Sequence, residues 1–305
     1  MALDQVAGVA QQRRSKRALL LVNPQARRAS DQFERAIEAL NSAGFSLVCP
    51  DLEDKQWVPK ALARHAARCD LVIVGGGDGS LHYALQGLVG RNRPLGILPL
   101  GTANDLAKSL GIPAQLDAAS EIIAAGETRT IDVGCVNGVY FFNEMSVGLS
   151  PMVVRLLGKD LKARFGVIAL AYRALQVMRR MRRFAAYVSC DGRETVLRTA
   201  QLTIGNSRSF GGFVASDEAR IDDHRLDLYS VSFRHWWSYF EAVKALLARR
   251  YDDAPCVETM HGSDFQIRTK HPKPIEADGE IVAMTPAHVQ VVPDAVAVFV
   301  PGGAP

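Results

Sequence analysis

The chain has no Cys-x-x-Cys pair, no apolar run long enough to span a bilayer, and no strong excess of either charge. Its five cysteines, Cys49, Cys69, Cys135, Cys190 and Cys256, are widely spaced and odd in number. A structural zinc site needs clustered thiolates or imidazoles, so none is expected; the thiols read as reduced and buried, in a cytoplasmic protein. Residues 1–17 contain no apolar core of secretory-signal length, because Arg13, Arg14, Lys16 and Arg17 precede only the short run Ala18–Val22. A formal net charge of +4 on 305 residues does not argue for a nucleic-acid partner, and no nucleic-acid motif accompanies the basic stretches. Internal repeats and low-complexity linkers are also missing. What remains is a chain long enough for two modest domains, with 48% hydrophobic residues to fill their cores.

The first half alternates strand and helix signals. Ala18–Val22, Phe45–Cys49, Leu71–Val74 and Leu95–Leu98 read as strands, the first, third and fourth of them buried. Between them, Phe33, Ala36, Ile37 and Leu40, then Val58 to Arg68, then Leu81, Ala84, Leu85 and Leu88 fall at helical spacing. Two more helical stretches lead to about Ala125. Alternation of this kind implies a parallel sheet with helices on both faces. Near Thr130 the texture changes. Asn137-Gly138 and Asp191-Gly192 each sit between apolar runs, a hairpin signal. Leu202–Ile204, Leu226–Val231, Phe265–Ile267 and His288–Val292 read as short strands. The expected fold class is therefore α/β: an N-terminal doubly wound nucleotide-binding domain, then a C-terminal antiparallel β-rich, sandwich-like domain. The expected division is 17–131, rejoined by the C-terminal segment 293–305, and 132–292.

Residues Gly75-Gly76-Gly77-Asp78-Gly79-Ser80 stand between a buried strand and a helix. Glycines let the backbone approach phosphate oxygens, and a helix N-terminus offers unpaired N–H groups and a positive dipole end. Asp78 would repel phosphate unless a cation lies between them, which suggests Mg²⁺. A tight turn without a ligand is the plain alternative. The spacing is not GxGxxG, because position 80 is Ser, and no Walker A sequence occurs. Gly96 to Ala107 repeats the design from strand through polar loop to helix. Thr102 or Asn104 would serve as its N-cap. Carboxyl ends of neighbouring parallel strands share one crevice, so Asp78 and Asp105 would face one site, as metal ligands near a triphosphate.

GGGDGS followed by LGILPLGTANDLA resembles the nucleotide-binding signature of the diacylglycerol kinase catalytic family, which includes bacterial lipid kinases and the sphingosine and ceramide kinases. Asn23-Pro24, after the first strand, is similar to the family's NP motif. The resemblance extends over about residues 17 to 301. It implies a two-domain fold with ATP in the cleft. Asn23, Pro24, Gly75, Gly76, Gly77, Asp78, Gly79, Ser80, Gly101, Thr102 and Asn104 would lie around the nucleotide, together with Mg²⁺. The family often has a nucleotide-contacting Thr after the second strand; Val48-Cys49-Pro50-Asp51 holds none.

Ile275-Glu276-Ala277-Asp278-Gly279-Glu280 carries three carboxylates. In an extended segment Asp278 and Glu280 point to the same side. Phosphoryl transfer to an alcohol needs an acceptor for the hydroxyl proton, which either could supply. An acidic turn bent at Gly279 is the alternative. The segment resembles the family's DGE motif, which implies a general base at Asp278 or Glu280 and completes a catalytic set with Asp78 and Asp105. Ala219 to Asp227 resembles the family's structural Mg²⁺ site, with the Asp223 carboxylate and the carbonyls of Arg220 and Arg225 as ligands; His224 stands where the family usually has Gly. Asp132 matches the family Asp supporting that region. Asn143–Gly148, Gly205-Asn206-Ser207 and Phe210-Gly211-Gly212 are similar to cleft and acceptor-side positions.

The expected activity is ATP-dependent transfer of a phosphoryl group to a lipid alcohol such as diacylglycerol or a sphingoid base. Two alternatives stay open: an NAD kinase-type enzyme acting on a soluble nucleotide, and a non-catalytic membrane-associated relative. Leu161–Arg183 and Trp236–Arg250, with aromatic stripes and terminal arginines, read as surfaces for peripheral contact with the inner membrane face, or as ordinary core helices. Oligomeric state is not legible, and a homodimer stays open.

Overall fold

The structure, a computed structural model, describes residues 15–22, 31–50, 55–148, 183–206, 209–210, 213–214, 221–232 and 256–303. The alternating half folds as its periodicity requires. Strand β1 (Lys16–Val22) is followed by α1 (Asp31–Ser42), β2 (Phe45–Val48), α2 (Val58–His65), β3 (Leu71–Gly76), α3 (Asp78–Leu88), β4 (Leu95–Pro99), α4 (Asp105–Ser109) and α5 (Leu116–Ala125). The expected helix to Arg68 leaves α geometry at His65 and ends in a 3₁₀ turn, Ala66–Arg68. Strands β1, β2, β3 and β4 pair in parallel, in the order β2-β1-β3-β4. Every residue of β3 and β4 is buried, as expected for strands covered on both faces.

The second half supplies β5 (Thr128–Val136), β6 (Val139–Phe141), β7 (Glu144–Gly148), β8 (Phe184–Cys190), β9 (Arg193–Thr199), β10 (Gln201–Gly205), β11 (Ser209–Phe210) and β12 (Phe213–Val214). It continues with β13 (Leu226–Val231), β14 (Val257–Gly262), β15 (Asp264–Thr269), β16 (Pro274–Ala277), β17 (Glu280–Met284) and β18 (Ala287–Phe299). Asn137-Gly138, Asp191-Gly192 and Asp278-Gly279 each make a two-residue hairpin turn with φ positive at both residues, for example 47° and 89° at the last. That backbone suits the Asn-Gly and Asp-Gly sequences.

Strand β18 joins the halves. Near its C-terminal end it runs parallel to β4, with Val298 opposite Leu95, and it pairs antiparallel with β5 and β15. The larger sheet therefore continues from β4 through β18 and β15 to β8 and β9. Ile131 and Asp132 both lie inside β5. A second, antiparallel sheet runs β14-β13-β10-β7-β16-β17. Its Met145, Val147, Leu202, Ile204, Leu226, Leu228, Ile275 and Ala277 alternate along the strands onto one face. There they pack with Ala186, Val188, Phe265, Ile267 and Val289 of the larger sheet. Each large buried side chain contributes about 1.5–3 kcal/mol relative to exposure. The architecture is the expected α/β lobe followed by an antiparallel β-sandwich.

Of the five thiols, Cys69, Cys135, Cys190 and Cys256 are buried, and none is in a disulfide. Cys49 is exposed, against the expectation that all are buried, because it lies just beyond the short strand β2. Among the described residues no helix is long and apolar enough to cross a membrane.

Candidate active site

The glycine-rich stretch is shorter as a loop than its sequence suggests. Gly75 and Gly76 belong to β3 and pair with Leu98 and Pro99 of β4. Asp78, Gly79 and Ser80 already form the first turn of α3, which leaves Gly77 alone at the junction, without any side-chain cap for the helix. The Ser80 N–H returns to the Gly77 carbonyl at 2.9 Å, and the N–H groups of Asp78 and Gly79 are left to a ligand or solvent. Gly101, in the loop after β4, presses against Gly77: a Cβ built on Gly101 would sit 2.4 Å from the Gly77 Cα. Only two glycines permit this approach, so the two sequence motifs form one surface. Thr102 stands exposed on it and Ser80 is buried behind it.

Asn104 occupies the N-cap position of α4 but does not cap it. Its φ of 52° is left-handed, and its amide turns back to Gly101, accepting from the Gly101 N–H at 3.0 Å and donating to the Gly101 carbonyl at 2.8 Å. Asp78 caps α4 instead, from the other loop. Its Oδ1 accepts from the backbone N–H of Asp105 at 2.8 Å and of Leu106 at 3.4 Å. Burial pushes the Asp78 carboxyl above its ordinary range, and the Asp105 charge pushes it further. The Leu106 and Asp105 N–H groups pull it back, and Asp278 adds a smaller upward push. Carboxylates from three distant segments thus share one field, an arrangement that a bound cation would relieve.

Asp278 and Glu280 are not two residues of one extended strand. The turn at Asp278-Gly279 separates β16 from β17, so two-residue alternation does not apply, and the extended-strand basis for expecting them on the same side is lost. The Asp278 side chain is 1% exposed and fully engaged. Oδ1 accepts from the N–H of Asn143 at 2.9 Å and Glu144 at 3.4 Å; Oδ2 accepts from the Phe142 N–H at 2.8 Å and lies 3.4 Å from His82 Nδ1. Two partners on each oxygen occupy the four acceptor positions of a carboxylate. Glu280, at the start of β17, is only half-buried.

Sequence reasoning missed His82 and Gln86. Asp78, His82 and Gln86 fall at i, i+4 and i+8 on α3, one polar stripe on an otherwise apolar helix, and that spacing was the available signal. His82, 3% exposed, reaches Asp278. Gln86 clamps the backbone of Tyr140, donating to its carbonyl at 2.8 Å and accepting from its N–H at 3.0 Å. The helix that begins at the glycine junction is thereby tied to the second half of the chain at two points. Within the second half, Asn206 donates to the carbonyls of Asp132 and Phe142.

The expected metal ligands lie in a separate cluster. The Asp223 carboxylate accepts from the Arg225 N–H at 3.1 Å. His224 has a φ of 58°, the left-handed form that Gly would favour, so the backbone path tolerates the substitution. Asp132 anchors this turn, accepting from the N–H of His224 at 2.7 Å and of Asp294 at 2.9 Å. The Asp132, His224 and Asp294 ligand atoms lie within 4.8 Å of one another. The oxygen donors of Asp223 and Arg225 are of the kind a hard cation takes. Asn23, Pro24, Arg220, Ser207, Gly211, Gly212 and the stretches 161–182 and 236–250 lie outside the described residues.

Fold and site together define an α/β protein with a glycine strand-to-helix junction that no side chain caps, joined to a β-sandwich whose Asp278 carboxylate lies near it. Comparison with known proteins gives the family. Residues 17–136 match the diacylglycerol kinase catalytic domain, and residues 143–300 match the YegS C-terminal NAD kinase β-sandwich-like domain. The chain belongs to the diacylglycerol kinase catalytic family, a family of lipid kinases. It is 27% identical to a diacylglycerol kinase of Bacillus subtilis over 89% of this chain and 92% of that one. It is 34% identical to a protein named "Probable lipid kinase YegS-like" from Pseudomonas aeruginosa, over 70% and 72%. Against a longer relative from Synechocystis, 29% identical, it spans about half the length, 54%. The crystal structure of a Bacillus anthracis protein superposes over 97% of this chain and 98% of that one with a TM-score of 0.80; at 23% identity this bears on the fold alone.

Proposed function

We propose that this chain is an ATP-dependent lipid kinase that transfers the γ-phosphoryl group to the hydroxyl of a lipid such as diacylglycerol or a sphingoid base. One observation carries the reading: α3 holds Asp78 against the Asp105 loop at its first turn and, one turn later, holds Asp278 through His82. A phosphate-binding junction and the acidic hairpin of the second sheet are thereby fixed to one rigid rod.

In this reading the ATP phosphates lie on the uncapped start of α3 and the Gly77–Gly101 surface, with Ser80 and Thr102 beside them. Asp78 and Asp105 would hold Mg²⁺, which when bound neutralises phosphate charge; Asp223, with the carbonyls of Arg220 and Arg225, would hold a structural Mg²⁺. Asp278 has no acceptor position left for a substrate hydroxyl, so Glu280 is the general base and Asp278 a positioning residue. Glu280 takes the proton as the lipid oxygen bonds to the γ-phosphorus and the bond to the β–γ bridging oxygen breaks, releasing ADP. The two lobes are then 17–131 with 293–305, and 132–292.

The test is incubation with labelled ATP, Mg²⁺ and a mixed lipid panel in micelles. Wild type labels a lipid alcohol, and Glu280→Gln lowers kcat by about a hundredfold or more while the fold is retained. Transfer to NAD in detergent-free buffer, or to no lipid at all, sinks the proposal.

A further inference from the structure

Strand β17 begins at Glu280 and, among the described residues, is the last strand in the order of its sheet. Its side chains are unusual for an edge. Ile281 is 76% exposed and Met284 is 50% exposed. Natural edge strands are ordinarily blunted with charge, because an apolar edge invites association. Here no carboxylate or cation lies anywhere in 281–287.

The cations lie immediately beside it. Met284 is paired with Pro274, and the preceding β15–β16 connection reads Lys270-His271-Pro272-Lys273. This connection is stitched to the end of β17. The Thr285 N–H donates to the Lys273 carbonyl at 2.9 Å, and the Lys273 N–H donates to Thr285 Oγ1 at 2.9 Å. Thr269 and Thr285 share a hydroxyl hydrogen bond at 2.5 Å. The Lys273 ammonium stands over the Phe184 ring at 4.3 Å. Residues 268–274 contain two lysines, an arginine and a histidine but no Asp or Glu; Arg268 is paired with Glu194, which leaves Lys270 and Lys273 to set the sign. Exposed apolar side chains next to an ordered cationic loop match a surface that is negative outside and apolar beneath.

We infer that the β17 edge and the Lys270–Lys273 loop form the membrane-docking surface, and that its partner is a bilayer carrying anionic headgroups. The inference rests on the kinase reading for its purpose: Met284 lies four residue steps along the strand from Glu280, about 13 Å. That spacing would let Met284 and Ile281 sit at the bilayer while a lipid hydroxyl reaches Glu280. The charge of the Lys270–Lys273 loop favours this occupant, since cations beside exposed apolar side chains suit a surface with anionic headgroups over an apolar interior.

The experiment is co-sedimentation of the full chain with vesicles of phosphatidylcholine alone or doped with phosphatidylglycerol. Wild type should pellet with the anionic vesicles and be released by salt. Ile281→Asp/Met284→Asp and Lys270→Glu should each weaken binding about tenfold or more with Tm unchanged, since these side chains are exposed, whereas Lys273 also rests on Phe184. In parallel, phosphorylation of a lipid embedded in anionic vesicles should fall in both variants, while that of a water-soluble short-chain diacylglycerol stays at the wild-type rate. Wild type that ignores anionic vesicles, or variants that bind them as wild type does, overturn the docking surface. So does a drop in molar mass on Ile281→Asp/Met284→Asp with vesicle binding intact, which would make this edge a subunit interface. Failure to phosphorylate the short-chain lipid would instead count against the kinase reading and leave the vesicle result standing.

Discussion

Replacing Asp278 by Asn separates two roles that its sequence motif merges. The carboxylate accepts three backbone N–H groups, from Phe142, Asn143 and Glu144, and faces His82. An asparagine can keep one oxygen on the Asn143 and Glu144 donors. Its NH₂ must then replace Oδ2, opposite the Phe142 N–H at 2.8 Å, donor against donor. A buried N–H left without an acceptor costs about 1–3 kcal/mol, and the surviving bonds lose their charge assistance, about 1 kcal/mol each. With the side chain 1% exposed, water cannot make up the difference. The expected loss is roughly 3–5 kcal/mol, a large share of the about 5–15 kcal/mol available to a typical domain. Urea denaturation followed by tryptophan fluorescence and circular dichroism measures it. Glu280→Gln serves as the contrast, with unchanged midpoint and lost turnover. If Asp278→Asn kept the wild-type midpoint and slope while turnover vanished, Asp278 would be chemically active rather than positional, and the division of labour argued above would be wrong.

Asp78→Asn should stabilise the unliganded protein while weakening Mg²⁺-dependent nucleotide binding. Burial first, and the Asp105 charge second, raise the folded-state pKa of Asp78, so its contribution to stability is present below the unfolded value and is lost as pH rises through the folded one. Asn retains the oxygen that caps α4, and the Tm gain over wild type should therefore be larger at pH 8 than at pH 4, read by calorimetry across that range. Gly101→Ala would force the loops apart by about 1 Å, since its Cβ falls 2.4 Å from the Gly77 Cα where ordinary contact begins at 3.4 Å. A cost of about 1–3 kcal/mol and a raised ATP KM are expected, with the KM for a short-chain lipid little changed.

Much of this molecule was legible in its residues. Apolar strands alternating with helical spacing required the parallel sheet, and Asn137-Gly138 and Asp191-Gly192 gave their hairpins because few other pairs tolerate two positive φ values. The GGGDGS and GTAND segments announced a pair of loops at strand ends. What sequence could not supply were the long-range partners. Nothing local tells that Asp78 caps a helix 27 residues away, that Asn104 serves its own loop, or that Asp278 is saturated by the backbone of 142–144 together with His82. Nor does it tell that β18 runs parallel to β4 and joins the two halves in one sheet. Propensity, turn chemistry and periodicity act over a few residues, and these the chain carries in itself. That the Asp278 carboxylate is consumed by structure depends on donors brought together from more than a hundred residues away, and only the folded protein decides that.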